Sequence, residues 1–256
     1  MQKILIYRDD GQWYESPTLT HNWLTSILGS LYQIEFTDAQ GILSNKVLSN
    51  PNVVALFIPG GHSRFYYKKL TAKGVNVIQK FVASGGHYFG ICGGAYFASS
   101  SINFKGDELE ITSQETLKIA STDSYGSIPE LCNGNLFGSS IYSSRAVKIS
   151  TYNINECYVY YWGGPYFESN EKDSILGHYS KPNLPALFSN NYKKGSCNLI
   201  SFHPECTSES LTYLIKKHNS NPQQLSYLKH MIRKLKLSEI SGDKFELDHL
   251  ILKPLL

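Results

Sequence analysis

The residue most able to do chemistry is Cys92, in Gly90-Ile91-Cys92-Gly93-Gly94. It sits where an apolar strand-like run, His87 to Ile91, gives way to a stretch of small residues. A nucleophile on such a strand-to-helix turn needs small neighbours, so that the chain can turn tightly and the sulfur projects into a cleft. A helix opening there points its positive end at the sulfur and favours the thiolate. The alternative is a buried, inert cysteine, the commoner state of that residue type. A thiol nucleophile also needs a base, and the base needs an orienting carboxylate. His203-Pro204-Glu205 follows directly on the strand-like run Cys197 to Phe202. His203 is suited to take the Cys92 proton and Glu205 to hold the imidazole tautomer, although alone the tripeptide reads equally as a surface loop. A third element, Pro59-Gly60-Gly61, offers backbone N–H groups free of side chains. Those of Gly61 and Gly93 together would make an oxyanion hole, usually the largest electrostatic contribution to acyl transfer.

The elements that must position these residues are legible as alternating periods. Ile4 to Tyr7 and Val53 to Ile58 read as strands buried on both faces, and Tyr32 to Phe36 alternates like a strand. Ser16 to Leu28 and Val75 to Val82 carry helical apolar spacing, closed by Gly29 and by Gly85-Gly86. Strand and helix in regular alternation predict an α/β fold, a flavodoxin-like, doubly wound, mostly parallel sheet. Ligands of such sheets lie beyond the carboxyl ends of strands, where Gly60-Gly61, Cys92 and His203 all fall. From about residue 104 to 190 the helical periods vanish. Alternation in Ala146-Val147-Lys148-Ile149 and Tyr158 to Trp162, with turns at Asn133-Gly134 and Gly163-Gly164-Pro165, predicts an antiparallel β insertion near the cleft, lying over the sheet edge. Two helices and an apolar tail, residues 207–256, complete a single domain expected to span 1–256.

Composition narrows the function. The 256 residues are 41% hydrophobic and 18% charged with a net charge of +3, which excludes wholesale disorder and gives no electrostatic ground for a nucleic-acid partner. No apolar run approaches the ~18 residues of a membrane span, and the acidic Asp9-Asp10 comes too soon for a secretion signal. Five scattered cysteines (92, 132, 157, 197, 206) without Cys-x-x-Cys pairs suggest neither a disulfide framework nor a zinc site. The expectation is a cytoplasmic protein with no metal, no cofactor and no membrane partner. Asp9, Asp10 and His62 lie beside strand ends and are candidates for lining the cleft, with surface loop as the plainer reading. Cys206 is a candidate second thiol. Lys216-Lys217-His218 and Lys229 to Lys236 read as solvated helix faces.

Four stretches carry a family resemblance: Phe57 to Gly61, Phe81 to Ala98, Tyr160 to Phe167, and Phe202 to Glu205. Taken together and in this order, they resemble the class I glutamine amidotransferase-like superfamily, and within it most closely the N-terminal domain of biotin–protein ligases and its free-standing relatives. The resemblance implies Cys92 as nucleophile, His203 as base, Glu205 as its orienter, and Gly61 and Gly93 as oxyanion donors. Gly60, Tyr96, Gly163, Gly164 and Tyr166 are candidate substrate-binding residues: the glycines of the hairpin Tyr161 to Tyr166 let the backbone approach a ligand and its rings exclude water, so it is expected to overhang the cleft, with a structural hairpin remote from the site as the alternative. Glutaminases of the superfamily usually carry Gln four residues past the nucleophile, where this chain has Tyr96. No Gly-Arg-Gly-Arg adenylate-binding stretch occurs, so biotin ligation is not the expected activity. Two readings stand: a hydrolase or acyl transferase working through a Cys92 thioester on a small-molecule substrate, with a possible synthetase or ligase partner, or a binding or regulatory module that keeps the pocket without turnover.

Overall fold

Buried apolar runs form the strands of the central sheet. In the computed structural model, which describes residues 1–171, 174–217 and 221–256, β1 (Gln2–Tyr7), β2 (Tyr32–Thr37), β3 (Val53–Ile58) and β4 (His87–Ile91) pair in parallel in the order β2-β1-β3-β4, and the last strand, β13 (Gly195–Ile200), joins in parallel beside β4. Ile4, Ile6, Phe57, Phe89 and Ile91 are buried on one face, Leu5, Leu56, Ile58 and Tyr88 on the other. Burial on both faces is what unbroken apolar runs satisfy. Helix α1 (Ser16–Leu28) packs Trp23, Leu24 and Leu28 on the first face. Helices α2 (Ala39–Leu43), α3 (Ser63–Ala83) and α4 (Gly93–Ala98) cover the second. Helix α3 begins a dozen residues before the spacing from Val75 indicates, because it bends at Thr71 (φ 56°), which breaks the apolar period. This is a flavodoxin-type, doubly wound α/β fold.

The insertion is placed differently from the expectation that it would lie over the edge. Strands β5 (Ile102–Lys105), β6 (Glu110–Ser113), β7 (Asp123–Gly126) and β10 (Tyr166–Glu168) form a small separate sheet in the order β10-β7-β5-β6. Strands β8 (Arg145–Thr151), β9 (Cys157–Tyr161), β11 (Ile175–Tyr179) and β12 (Pro185–Tyr192) instead extend the main sheet past β13, in the antiparallel order β12-β11-β8-β9, to nine strands in all. The physical reason is twofold. Pairing with β12 satisfies the backbone of β13 that would otherwise be an edge. It also puts Val147, Ile149, Val159 and Tyr161 into the same core as Ile91 and Ile200.

Helices α5 (Ser208–Lys217), α6 (Pro222–Ser241) and α7 (Asp243–Leu252) close the chain. Asn221 starts α6 with a capping box to Gln224. The apolar tail packs on the body, with Leu247, Leu250, Ile251, Leu252 and Leu255 in the core that holds Trp23. Lys216 is exposed, whereas the Lys217 side chain and His218 lie outside the described residues. Among the described residues no helix is long and apolar enough to cross a membrane.

Candidate active site

Cys92 lies between β4 and α4 with φ 50° and ψ −103°, a backbone conformation unfavourable for any residue with a Cβ. The strain is held from both sides. The Cys92 N–H donates to Ile200 O at 2.8 Å, and its carbonyl accepts from the N–H of Ala95 (3.0 Å) and Tyr96 (3.1 Å). Glycine is required around it by contact. A Cβ on Gly93 would overlap the Gly61 carbonyl, and one on Gly94 would overlap the Ile58 carbonyl. This close approach brings the β3 and β4 turns together at the carboxyl ends of adjacent strands.

Behind the sulfur, His203 and Glu205 are both buried, at 2% exposure each. His203 and Cys92 line the same cavity, close enough for the sulfur to raise the imidazole pKa. Its Nδ1 is 2.8 Å from Glu205 Oε1, which leaves Nε2 free of that bond. Burial pushes the imidazole pKa down, but the Glu205 carboxylate and Cys92 outweigh it and bring the value up to about 10. Ser16, which the sequence did not mark, completes the arrangement. Its Oγ donates to Glu205 Oε1 (2.9 Å) and accepts from the Gly60 N–H (3.1 Å). Its only sequence signal was a place in the first turn of α1, beside Pro17. Trp13 stands edge-on to His203, ring centroids 5.4 Å apart, and edge-on to Trp162 at 5.3 Å.

The two expected oxyanion donors adjoin one another. Gly93 is the first residue of α4, where an N–H has no acceptor within the helix. Gly61 pairs with Gln12 through flanking bonds, His62 N to Gly11 O and Trp13 N to Gly60 O, so its own peptide faces away from Gln12. Gly61 lines a cavity of about 190 Å³ together with Cys92, His203, Tyr96 and Gly163.

Not every expected residue reaches that cavity. Gly60 stands behind it, its N–H occupied by Ser16 and its bare Cα making room for the His203 ring, whose Cε1 would be 2.5 Å from an added Cβ. Gly164 is pressed on the Ser201 backbone, and its carbonyl accepts from Tyr161 Oη at 3.0 Å. Tyr166 stacks on Tyr125 (5.5 Å) in the small sheet. These three therefore pack the surrounding structure instead of lining the cavity. The hairpin itself does overhang the sulfur. The Cys92 thiol donates to the Trp162 carbonyl at 3.5 Å, and Tyr96 Oη donates to the Gly163 carbonyl at 3.1 Å. Of the loop candidates, His62 lines the cavity, while Asp9 and Asp10 pair with Lys69 and do not. Phe104 and Phe137 join the lining without any local sequence signal.

His203, Glu205 and Cys206 also place one potential ligand atom each within 4.8 Å of one another. A cation among them would have to displace the His203–Glu205 hydrogen bond. The donor set suits a proton relay better than a metal.

Comparison with known proteins bears on this site. The family model for the N-terminal region of biotin–protein ligase matches residues 2–252. The chain belongs to that family. An uncharacterized protein of Chlamydia muridarum is 29% identical over 221 residues, 82% of each chain. The biotin–protein ligase of Schizosaccharomyces pombe is 25% identical over 242 residues, covering 88% of this chain but 37% of the ligase. Among solved structures, a glutamine amidotransferase of Thermotoga maritima superposes with a TM-score of 0.56 at 14% identity, covering 99% of this chain and 97% of that one. A second glutamine amidotransferase gives 0.53 at 16% identity, covering 90% and 98%. These likenesses establish that a member of the ligase N-terminal family has the amidotransferase fold.

Proposed function

We propose that this biotin–protein ligase N-terminal family member is a cysteine-nucleophile hydrolase or acyl transferase acting on a C–N or similar acyl bond. The observation that carries the reading is the strained Cys92 sharing one cavity with a buried His203 whose Nδ1 is held by Glu205. A binding module has no physical need for that chain of three. In the reaction, the sulfur attacks the acyl carbon, the N–H groups of Gly61 and Gly93 receive the developing oxyanion, and the imidazolium of His203 protonates the departing amine. Water then attacks the thioester, giving its proton to His203, and the thiol is restored as the carboxylic acid leaves.

A regulatory reading has one observation in its favour: the Cys92 thiol already donates to the Trp162 carbonyl, as it would if the hairpin closed over an idle sulfur. Thiol mapping decides between them. Burial pushes Cys132 up to about 12 and Cys157 up to about 11, and pushes Cys197 and Cys206 well above the usual thiol value. Limited iodoacetamide treatment of the folded protein at neutral pH is expected to alkylate Cys92 first and to abolish amine release from a library of simple amides, as Cys92→Ser does. Preferential labelling of any of the four others, or amine release that survives in Cys92→Ser, would reject the enzymatic reading.

A further inference from the structure

The cavity over Cys92 has a composition that selects its substrate, and the inference drawn from it rests on the enzymatic reading above. Trp13, Tyr96, Phe104, Phe137 and Trp162 give the wall its aromatic character, with the Phe137 ring 5.7 Å from Phe104 and 5.8 Å from Trp162. Its volume of about 190 Å³ exceeds the ~150 Å³ known to hold benzene, so a single ring or a short alkyl chain fits and little more does.

The polar side chains on the wall are few: Ser63, His62 and the Trp13 indole face it as neutral groups, and others are engaged elsewhere. Gln12 uses both ends of its amide, Nε2 donating to Tyr7 O (2.6 Å) and Oε1 accepting from Asp9 N (3.2 Å). Trp162 Nε1 donates to Ser143 Oγ (3.0 Å), and Tyr96 Oη to Gly163 O. His203 belongs to the relay. The wall contains no Asp, Glu, Lys or Arg. His62 lines the cavity, and burial lowers its pKa, so at neutral pH it brings no charge. An α-amino acid such as glutamine presents both an ammonium and a carboxylate; the only charge on the wall is that of His203, already paired with Glu205, so both ends would lose water for little return.

We propose that the acyl group accepted by this site is uncharged and apolar, the size of a benzoyl or hexanoyl group, and that free glutamine is not its substrate. The wall then contributes by burying apolar surface and excluding water, while the backbone donors act only on the reacting carbonyl. In the acylation step the C–S bond forms as the C–N bond breaks, and the amine leaves with a proton from His203. Hydrolysis returns that proton from water and releases an apolar carboxylic acid.

The test is a matched series of p-nitroanilides of benzoic, hexanoic and glutamic (γ-linked) acids and of a trimethylammonium-bearing butyric acid. Each is given to the wild type and to Cys92→Ser, with p-nitroaniline release and the Cys92 acyl adduct followed by intact mass. Benzoyl or hexanoyl turnover at least about tenfold above the other two, and absent in Cys92→Ser, supports the proposal. Equal or faster turnover of the γ-glutamyl substrate, or of the quaternary ammonium that an aromatic cage could attract, overturns it while leaving the enzymatic reading intact. If no anilide acylates Cys92, the enzymatic reading fails by this route, and binding still judges the cavity. Quenching of Trp13 and Trp162 fluorescence by benzamide but not by glutamine would uphold the apolar preference, and the reverse would sink it.

Discussion

The two halves of the nine-stranded sheet contribute to the candidate site in different ways. The parallel half, β2-β1-β3-β4-β13, delivers backbone: the strained turn at Cys92, the glycines at 61 and 93, and the strand end that presents His203. The antiparallel half and the small sheet deliver side chains and a roof: Phe104, Phe137, and the hairpin carrying Trp162 and Gly163. Their tolerance of change should differ accordingly. A backbone device fails when one atom is added, because the neighbouring peptide has nowhere to go. A wall of rings can lose a ring and still enclose something. On the proposed reading the parallel half would supply the chemistry, while the wall is shared, with Trp13 and Tyr96 from the parallel half facing Phe104, Phe137 and Trp162.

The largest expected effect breaks the parallel half. Gly93→Ala would drive a Cβ into the Gly61 carbonyl and separate the two oxyanion donors. Amide turnover should fall by about a hundred- to a thousandfold, the cost of losing one such donor. Near-native circular dichroism should accompany the loss, which would place the damage at the site. Full activity in Gly93→Ala would remove the oxyanion role of Gly61 and Gly93.

A second expectation concerns the relay's pH dependence. The His203 pKa rises from an ordinary 6.5 to about 10, so the folded state holds this proton more tightly than the unfolded chain. Its stabilisation is complete below 6.5, declines as pH rises, and is gone above about 10. Buried tyrosines such as Tyr66 and Tyr88, their pKa values raised by desolvation, oppose folding only once the unfolded phenols ionise near 10. His62, His87 and His178, lowered by burial, exert their opposite slope around and below 6.5. Between about pH 7 and 8, before the unfolded thiols of the buried cysteines 132, 157, 197 and 206 ionise and add a slope of the same sign, the urea midpoint of the wild type should therefore fall with pH, and His203→Gln should flatten the slope. Parallel slopes for both proteins would mean that His203 is not held charged.

What the sequence reveals follows the same division. Cys92, His203 and the parallel strands were legible because each depends on a short local pattern: an apolar run, a glycine pair, a turn. Ser16 was not, since its value lies in touching Glu205 and Gly60, both remote in the chain. Phe104 and Phe137 look like any aromatic residue in a β-rich segment until the fold brings them to one cavity. The extension of the sheet past β13 was misjudged for a related reason. Alternation in β8 and β9 reveals strands, but nothing local reveals which edge they will join. Gly60, Gly164 and Tyr166 sit in the expected motifs, and their contacts are with neighbouring backbone and rings outside the cavity lining.

The smallest expected effect sharpens the comparison, because it cuts a single link between the halves. Tyr96 belongs to α4, four residues past the nucleophile, and its Oη donates to the Gly163 carbonyl in the hairpin. Tyr96 is buried, at 4% exposure, and so is Gly163. Tyr96→Phe keeps the ring that lines the cavity and its edge-to-face contact with Phe104 (5.7 Å), while leaving that carbonyl without this donor. The loss should cost about 1 kcal/mol of stability, the usual net value of one buried hydrogen bond. Cys92, His203 and Glu205 are untouched by it, so kcat should hold. The loosened hairpin should instead raise KM a few-fold, about what 1 kcal/mol converts to. A fall in kcat with KM unchanged would show that the hairpin takes part in the chemical step, and the division of labour between the two halves would have to be redrawn.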